Sequence, residues 1–206
     1  MPNGMAGARR ASGRRRNGAA RTFQFIAGNL ALDFVNTVAY RAGVARDDLP
    51  TAEHVRRWAR AAGLLGDRNS LLLGKHQLDR IHDVRETLHQ LFQSLSGDSS
   101  RRANALARVN REFAAVTAKR QVRRAAGKLE WTWVTAANDP DKILGPILWS
   151  AMELLVGGKS PRVRQCEDET CGWLFIDRSQ GGRRRWCRMA DCGNRAKARR
   201  HHRRVR

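Results

Sequence analysis

All four cysteines of the chain lie in its last 41 residues. Cys166, Cys171, Cys187 and Cys192 follow the spacing C-x4-C-x15-C-x4-C. Two pairs with equal gaps, separated by enough chain for a strand and a turn, suit a tetrahedral four-thiolate zinc site. A segment of about 40 residues cannot bury enough apolar surface to fold alone. Zinc contributes about 10–16 kcal/mol to folding in small fingers at neutral pH. Four thiolates also close the coordination shell, so the expected ion is structural, one Zn2+ per chain, and not catalytic. Disulfides in an oxidising compartment, or an iron–sulfur or redox site, are the alternatives that the spacing leaves open.

The side chains between the cysteines fit a mini-core around such a site. In CGWLFID, Trp173 and Phe175 alternate with Leu174 and Ile176, as in a short strand with two faces. Trp186 directly precedes Cys187. After Cys192, Gly193 suits a tight or left-handed turn and Asn194 an N-cap. A helix is therefore expected from about residue 195, with Arg195 and Arg199 along one side.

Charge points to the partner. The net charge is +21, but it is unevenly placed. Residues 1–21 hold six arginines and no acid, and residues 178–206 hold twelve basic residues against Asp191. The intervening stretch carries 22 basic and 18 acidic residues. An ordinary domain with two basic ends calls for a polyanion, nucleic acid before an acidic membrane surface. The expected contacts are Arg183, Arg184, Arg185, Arg188, Arg195, Lys197, Arg199, Arg200, Arg203 and Arg204, because arginine suits bidentate bonds to phosphate and guanine. DNA is the first reading and RNA, in a ribosome-associated module, the alternative.

Residues 1–22 read as a disordered basic arm. They lack the apolar core of a secretion signal, and no apolar run approaches a membrane span, so a cytoplasmic protein is expected. Order begins near FQFIAGNLALDFVNTVAY, read as a buried helix of about three turns. Thr51 is an N-cap candidate for the next helix. The stripe Leu78, Ile81, Val84, Leu88, Leu91, Leu95 marks a long helix over about 74–96, with Gly97 as its C-cap. Leu106, Val109, Phe113 and Val116 mark another, capped by Ser99 or Ser100. KLEWTWV alternates as a strand, which Gly127 can join to QVRRA in a hairpin. A last helix follows Asn138-Asp139-Pro140, contains Pro146 and stops at Gly157-Gly158.

Asp33 and Asn36 lie one helical turn apart in an apolar setting. They suit either a small ligand pocket shared with His54 or Arg57, or an internal hydrogen-bond network. No nucleophile elbow, phosphate loop or metal-hydrolase motif occurs, so no enzyme is expected.

Residues 161–206 resemble the CGNR zinc-finger family. The naming motif stands as Cys192-Gly193-Asn194-Arg195, preceded by RRWCRMADC and followed by Lys197. The upstream half, CEDETCGWLFIDRS, includes Asp177 and Ser179. Residues 23–160 resemble the ABATE domain, whose opening signature stands as GNLALDFVNT, Gly28 to Thr37. Such proteins are regarded as bacterial stress-induced transcriptional regulators. The resemblance implies zinc on the four cysteines, nucleic-acid binding by the finger, and a sensing or dimerising N-terminal domain. The fold expected is mainly α with a small β element: a helical N-terminal domain over 23–160, then a small four-cysteine finger with a basic C-terminal helix.

Overall fold

A computed structural model describes residues 22–67, 71–95, 99–158 and 162–205. The arm at residues 1–21 and the Gly97 cap lie outside them. Six α-helices, three two-stranded antiparallel sheets and one π-helical turn make up the described chain.

Helix α1 (Leu30–Val35) is buried on nearly every side. Asn29 starts it: its side-chain oxygen accepts from the Ala31 and Leu32 N–H groups, and its amide nitrogen donates to Ser150 Oγ at 2.8 Å. The helix is shorter than the three turns expected. Thr37 Oγ1 donates to Phe34 O, and the chain then pairs as strand β1 (Val38–Ala39) with β2 (Arg46–Asp47). Two hydrogen-bonding side chains, at Asn29 and Thr37, therefore outweigh the apolar run in setting the helix length.

Helix α2 (Ala52–Ala61) begins at Thr51, as expected, and buries Val55, Trp58 and Ala59. Helices α3 (Lys75–Ser94) and α4 (Ser99–Thr117) pack on each other. The α3 stripe is buried from Ile81 to Leu91. In α4 the stripe departs from expectation. Leu106 is exposed, and Ala105 is buried in its place beside Val109 and Val116. Ser99 and Ser100 are already helical, the first two residues of α4.

Strands β3 (Arg120–Ala125) and β4 (Lys128–Trp133) form the expected hairpin. Ala126 and Gly127 both have positive φ, 48° and 80°, the two-residue turn that matches strand twist. Trp133 packs so closely on α5 (Asp141–Val156) that a Cβ at Gly145 would lie 2.7 Å from its ring. Helix α5 contains Pro146 in its second turn, and Ile143, Leu144, Ile147 and Leu148 fill the core around it.

The last sheet joins β5 (Val163–Gln165) to β6 (Leu174–Ile176). The strand β6 has the two faces its sequence predicts. Leu174 and Ile176 enter the main core with Val163, while Phe175 joins the four cysteines with Trp173 and Trp186 beside it. The Asn36 carboxamide holds this strand in place. Its nitrogen donates to Leu174 O at 2.8 Å, and its oxygen accepts from Leu174 N at 2.9 Å. Ile176 N also donates to Ala27 O at 2.9 Å. One sheet thus belongs to the core and to the cysteine cluster at once.

Replacing Asn36 with Ala strips both bonds from a buried peptide and leaves its N–H and C=O unpaired. The variant should lose about 2–4 kcal/mol in chemical denaturation of the zinc-loaded protein.

Candidate metal centre and basic helix

The cysteine sulfurs converge. All four Sγ atoms lie within 4.8 Å of one another and all four residues are buried. Cys171 and Cys187 sulfurs are 3.7 Å apart, and Cys187 and Cys192 sulfurs 3.5 Å. Zinc–sulfur bonds of about 2.3 Å in a tetrahedron place the sulfurs about 3.8 Å apart. Protons alone serve this cluster poorly. Hydrogen bonds from Cys171 and Cys187 hold the Cys166 thiol well below its ordinary range, while Cys166 and Cys171 push Cys187 far above it. A divalent cation relieves that competition, so the donor set fits zinc.

The segment from Met189 to Gly193 is a π-helical turn, and α6 (Asn194–Arg204) continues from it without a break. Two expectations fail here. Asn194 is not an N-cap but the first residue of α6, and its side chain donates to Ala190 O at 3.0 Å across the turn. Gly193 is not left-handed; its φ is −62°. Glycine is needed for room, since a Cβ would run into Met189 Sδ.

The acidic triplet Glu167-Asp168-Glu169 faces the arginines. Arg185 Nε donates to Glu167 at 2.6 Å. Arg195 and Arg199 donate to Asp168 at 3.3 and 3.0 Å, and Arg203 to Glu169 at 2.8 Å. Asp168 is only 2% exposed. Burial works against its charge, but bonds from Arg199, Thr170 and Arg195 outweigh burial and hold the carboxyl at about 2.

The ten candidate contacts are thereby sorted. Arg195, Arg199 and Arg203 sit at intervals of four on the side of α6 that meets the triplet. Lys197, Arg200 and Arg204 lie further round the helix, exposed, with no ion pair or hydrogen bond among the described residues, Arg200 at the rim of a cleft that Glu167 and Glu169 also line. Arg184 turns inward, where its guanidinium lies 4.4 Å from the Phe175 ring centre and bonds Trp186 O and Cys187 O. Arg188 reaches Gln24 Oε1 at 2.9 Å. Arg183 is exposed and donates its backbone N–H to Ser179 Oγ.

Residues 28–158 match ABATE, described as "Putative stress-induced transcription regulator", and residues 162–205 match the CGNR zinc finger. The chain belongs to the ABATE family. It ends in a CGNR zinc finger, and its four cysteines are the site of one structural zinc ion. No curated protein matches the chain.

Each residue of the CGNR motif has a structural task in this chain. Cys192 is a ligand, Gly193 leaves room for Met189, and Asn194 closes the π-turn. Arg195 bridges the centre to the triplet, donating to Cys192 Sγ at 3.0 Å as well as to Asp168. Asp177, noted in the sequence only through the resemblance, organises the opposite turn. Its carboxylate accepts from Ser179 N, Ser179 Oγ and Arg184 N. The D-x-S pattern is a local signal for such a turn.

Asp33 and Asn36 do come together with His54 and Arg57. They line a cleft of about 800 Å³ that the finger's Trp173 also borders. Their own bonds are internal. Asn36 is spent on Leu174, and Asp33 Oδ1 accepts from Ala27 N at 2.9 Å. Burial pushes the Asp33 carboxyl up to about 6, against the pull of the Ala27 and Ile26 N–H groups.

Two outcomes are expected. Arg195→Ala should weaken zinc binding about tenfold in a chelator competition, the usual effect of losing a group that holds a ligand. The protonated Asp33 is the form that folding favours. Its stabilisation is complete below about pH 3.8 and is lost as pH rises through about 6. Asp33→Asn keeps the acceptor and removes the titration. Between about pH 5 and 7.5, wild type should lose about 1–2 kcal/mol relative to this variant in chemical denaturation.

Proposed function

We propose that the chain is a zinc-dependent DNA-binding transcriptional regulator. In this reading a helical domain over about 23–160 presents the finger of 161–206, and the finger meets DNA through the outer side of α6. The observation that carries the reading is the division of α6 into two sides. Lys197, Arg200 and Arg204 stand at i, i+3 and i+7, one stripe of a helix, unpaired and exposed. Arg195, Arg199 and Arg203 already have carboxylate partners and serve the finger's own structure. A helix fixed at its start by zinc, with one cationic stripe free, suits a groove or a run of phosphates. The role is one of binding, with no catalysis. The cleft at the joint is the place assigned to an effector, because Asp33 and Trp173 border it from the two sides of that joint.

Selection of bound sequences from random duplex DNA, with structured RNA as competitor, tests the reading. A recovered duplex motif supports it; preference for the RNA, or no motif with affinity that collapses equally for all sequences as salt rises, sinks it. On the selected duplex, the variant Lys197→Ala/Arg200→Ala/Arg204→Ala should bind roughly ten- to a hundredfold more weakly, and its salt slope should fall by about 2–3. Arg199→Ala should instead destabilise the finger, by about 2–3 kcal/mol, because it leaves buried Asp168 short of a partner.

A further inference from the structure

The β3–β4 hairpin carries a second cationic surface, remote in sequence from the finger. Its register pairs Arg124 with Leu129, Val122 with Trp131 and Arg120 with Trp133, so these six side chains share one face. The inner end of the face is closed. The Arg120 guanidinium lies among three indoles, 3.2 Å from the Trp149 ring centre, 4.6 Å from Trp131 and 5.4 Å from Trp133. Its Nε and Nη1 are buried and have no hydrogen-bond partner. The indoles are therefore what holds this cation.

The outer end of the face is open. Trp131 is 63% exposed and Leu129 77%, with Val122 beside them at 53%. One side of the Trp131 ring rests on Arg120, which fixes the ring's orientation, and most of the residue faces solvent. Beside it stands Arg124, exposed and without an ion pair or hydrogen bond among the described residues, while Lys128 belongs to the other face at the turn. Arg123 turns to the other face, where Glu130 holds it. From Lys119 to Trp133 the chain carries five cations and one acid.

We propose that this hairpin is a stacking platform for unpaired bases of a nucleic acid, with a base on the open side of Trp131 and Arg124 on a flanking phosphate. A ring oriented on a sheet and flanked by cations is the chemistry that binds single strands without regard to sequence. Charge argues against a second copy of the chain, since two such faces would bring two unpaired Arg124 cations together. The inference goes beyond the finger reading and does not require it.

The test uses the full, zinc-loaded chain and a twelve-nucleotide oligothymidylate with one central 5-iododeoxyuridine. Photo-crosslinking followed by peptide mapping should place the adduct on Trp131. In anisotropy titrations Trp131→Ala should bind the oligonucleotide about tenfold more weakly, and Trp131→Phe should recover most of the loss. Arg124→Ala should lower the salt slope by about 1. These positions are exposed, so melting temperatures should stay close to wild type; if Trp131→Ala unfolds, Trp131→Phe and Arg124→Ala carry the comparison. Adducts confined to residues 183–204, with the hairpin variants binding as wild type, overturn the platform and leave the finger reading standing. Conversely, a finger stripe variant that binds duplex normally defeats the finger reading alone. Two further results overturn the platform. One is loss of binding to phosphatidylserine vesicles in Trp131→Ala with oligonucleotide binding intact. The other is a wild-type dimer that Trp131→Ala dissociates without changing oligonucleotide affinity.

Discussion

The Asn36 carboxamide, bonded both ways to the Leu174 peptide, is the contact on which the rest of the molecule depends. It joins the end of α1 to a strand whose two faces serve different parts of the protein. On one face Leu174 and Ile176 complete the helical core; on the other, Phe175 backs the cysteine cluster. A side-chain amide matches a peptide group donor for donor, so the strand gains the bonds of a sheet edge without a neighbouring strand. The zinc centre is therefore braced by the helical domain, and the core in turn relies on a strand that zinc helps to hold.

The second organising force is electrostatic. A finger rich in arginine risks presenting charge in every direction. Asp168 and Glu169 prevent this by engaging one side of α6, while Glu167 holds Arg185 ahead of it. Asp168 does most of this because it is buried, where an ion pair is little screened by solvent or salt. The result is a basic element with a direction.

Much of this was legible in the sequence. The cysteine spacing gives the cluster, the alternation in CGWLFID gives the two-faced strand, and the stripes in 74–96 give α3. What failed to show has physical causes. The length of α1 is set by Asn29 and Thr37, whose bonds reach Ser150 and Arg85 across the fold; no periodicity reports such partners. Leu106 sits in the right stripe but faces out, because α4 lies at the edge of the core and only part of its face is covered. Gly193 and Asn194 have the residue types of a tight turn and a cap, yet Met189 and Ala190 recruit them to a π-turn. The arginines of α6 look alike in the sequence; only their position relative to the triplet separates them.

The shared strand has a consequence for how such a chain can be divided or recombined. A cut near residue 161 follows the change in composition, but it would leave Val163, Leu174 and Ile176 with no core to enter and Ile176 N without its bond to Ala27. Grafted onto a different domain, the same finger would need a new cover for that apolar face and a new amide for the Leu174 peptide. The two parts are therefore bound to change together: a substitution that reshapes the end of α1 also shifts the bed on which the zinc ligands rest.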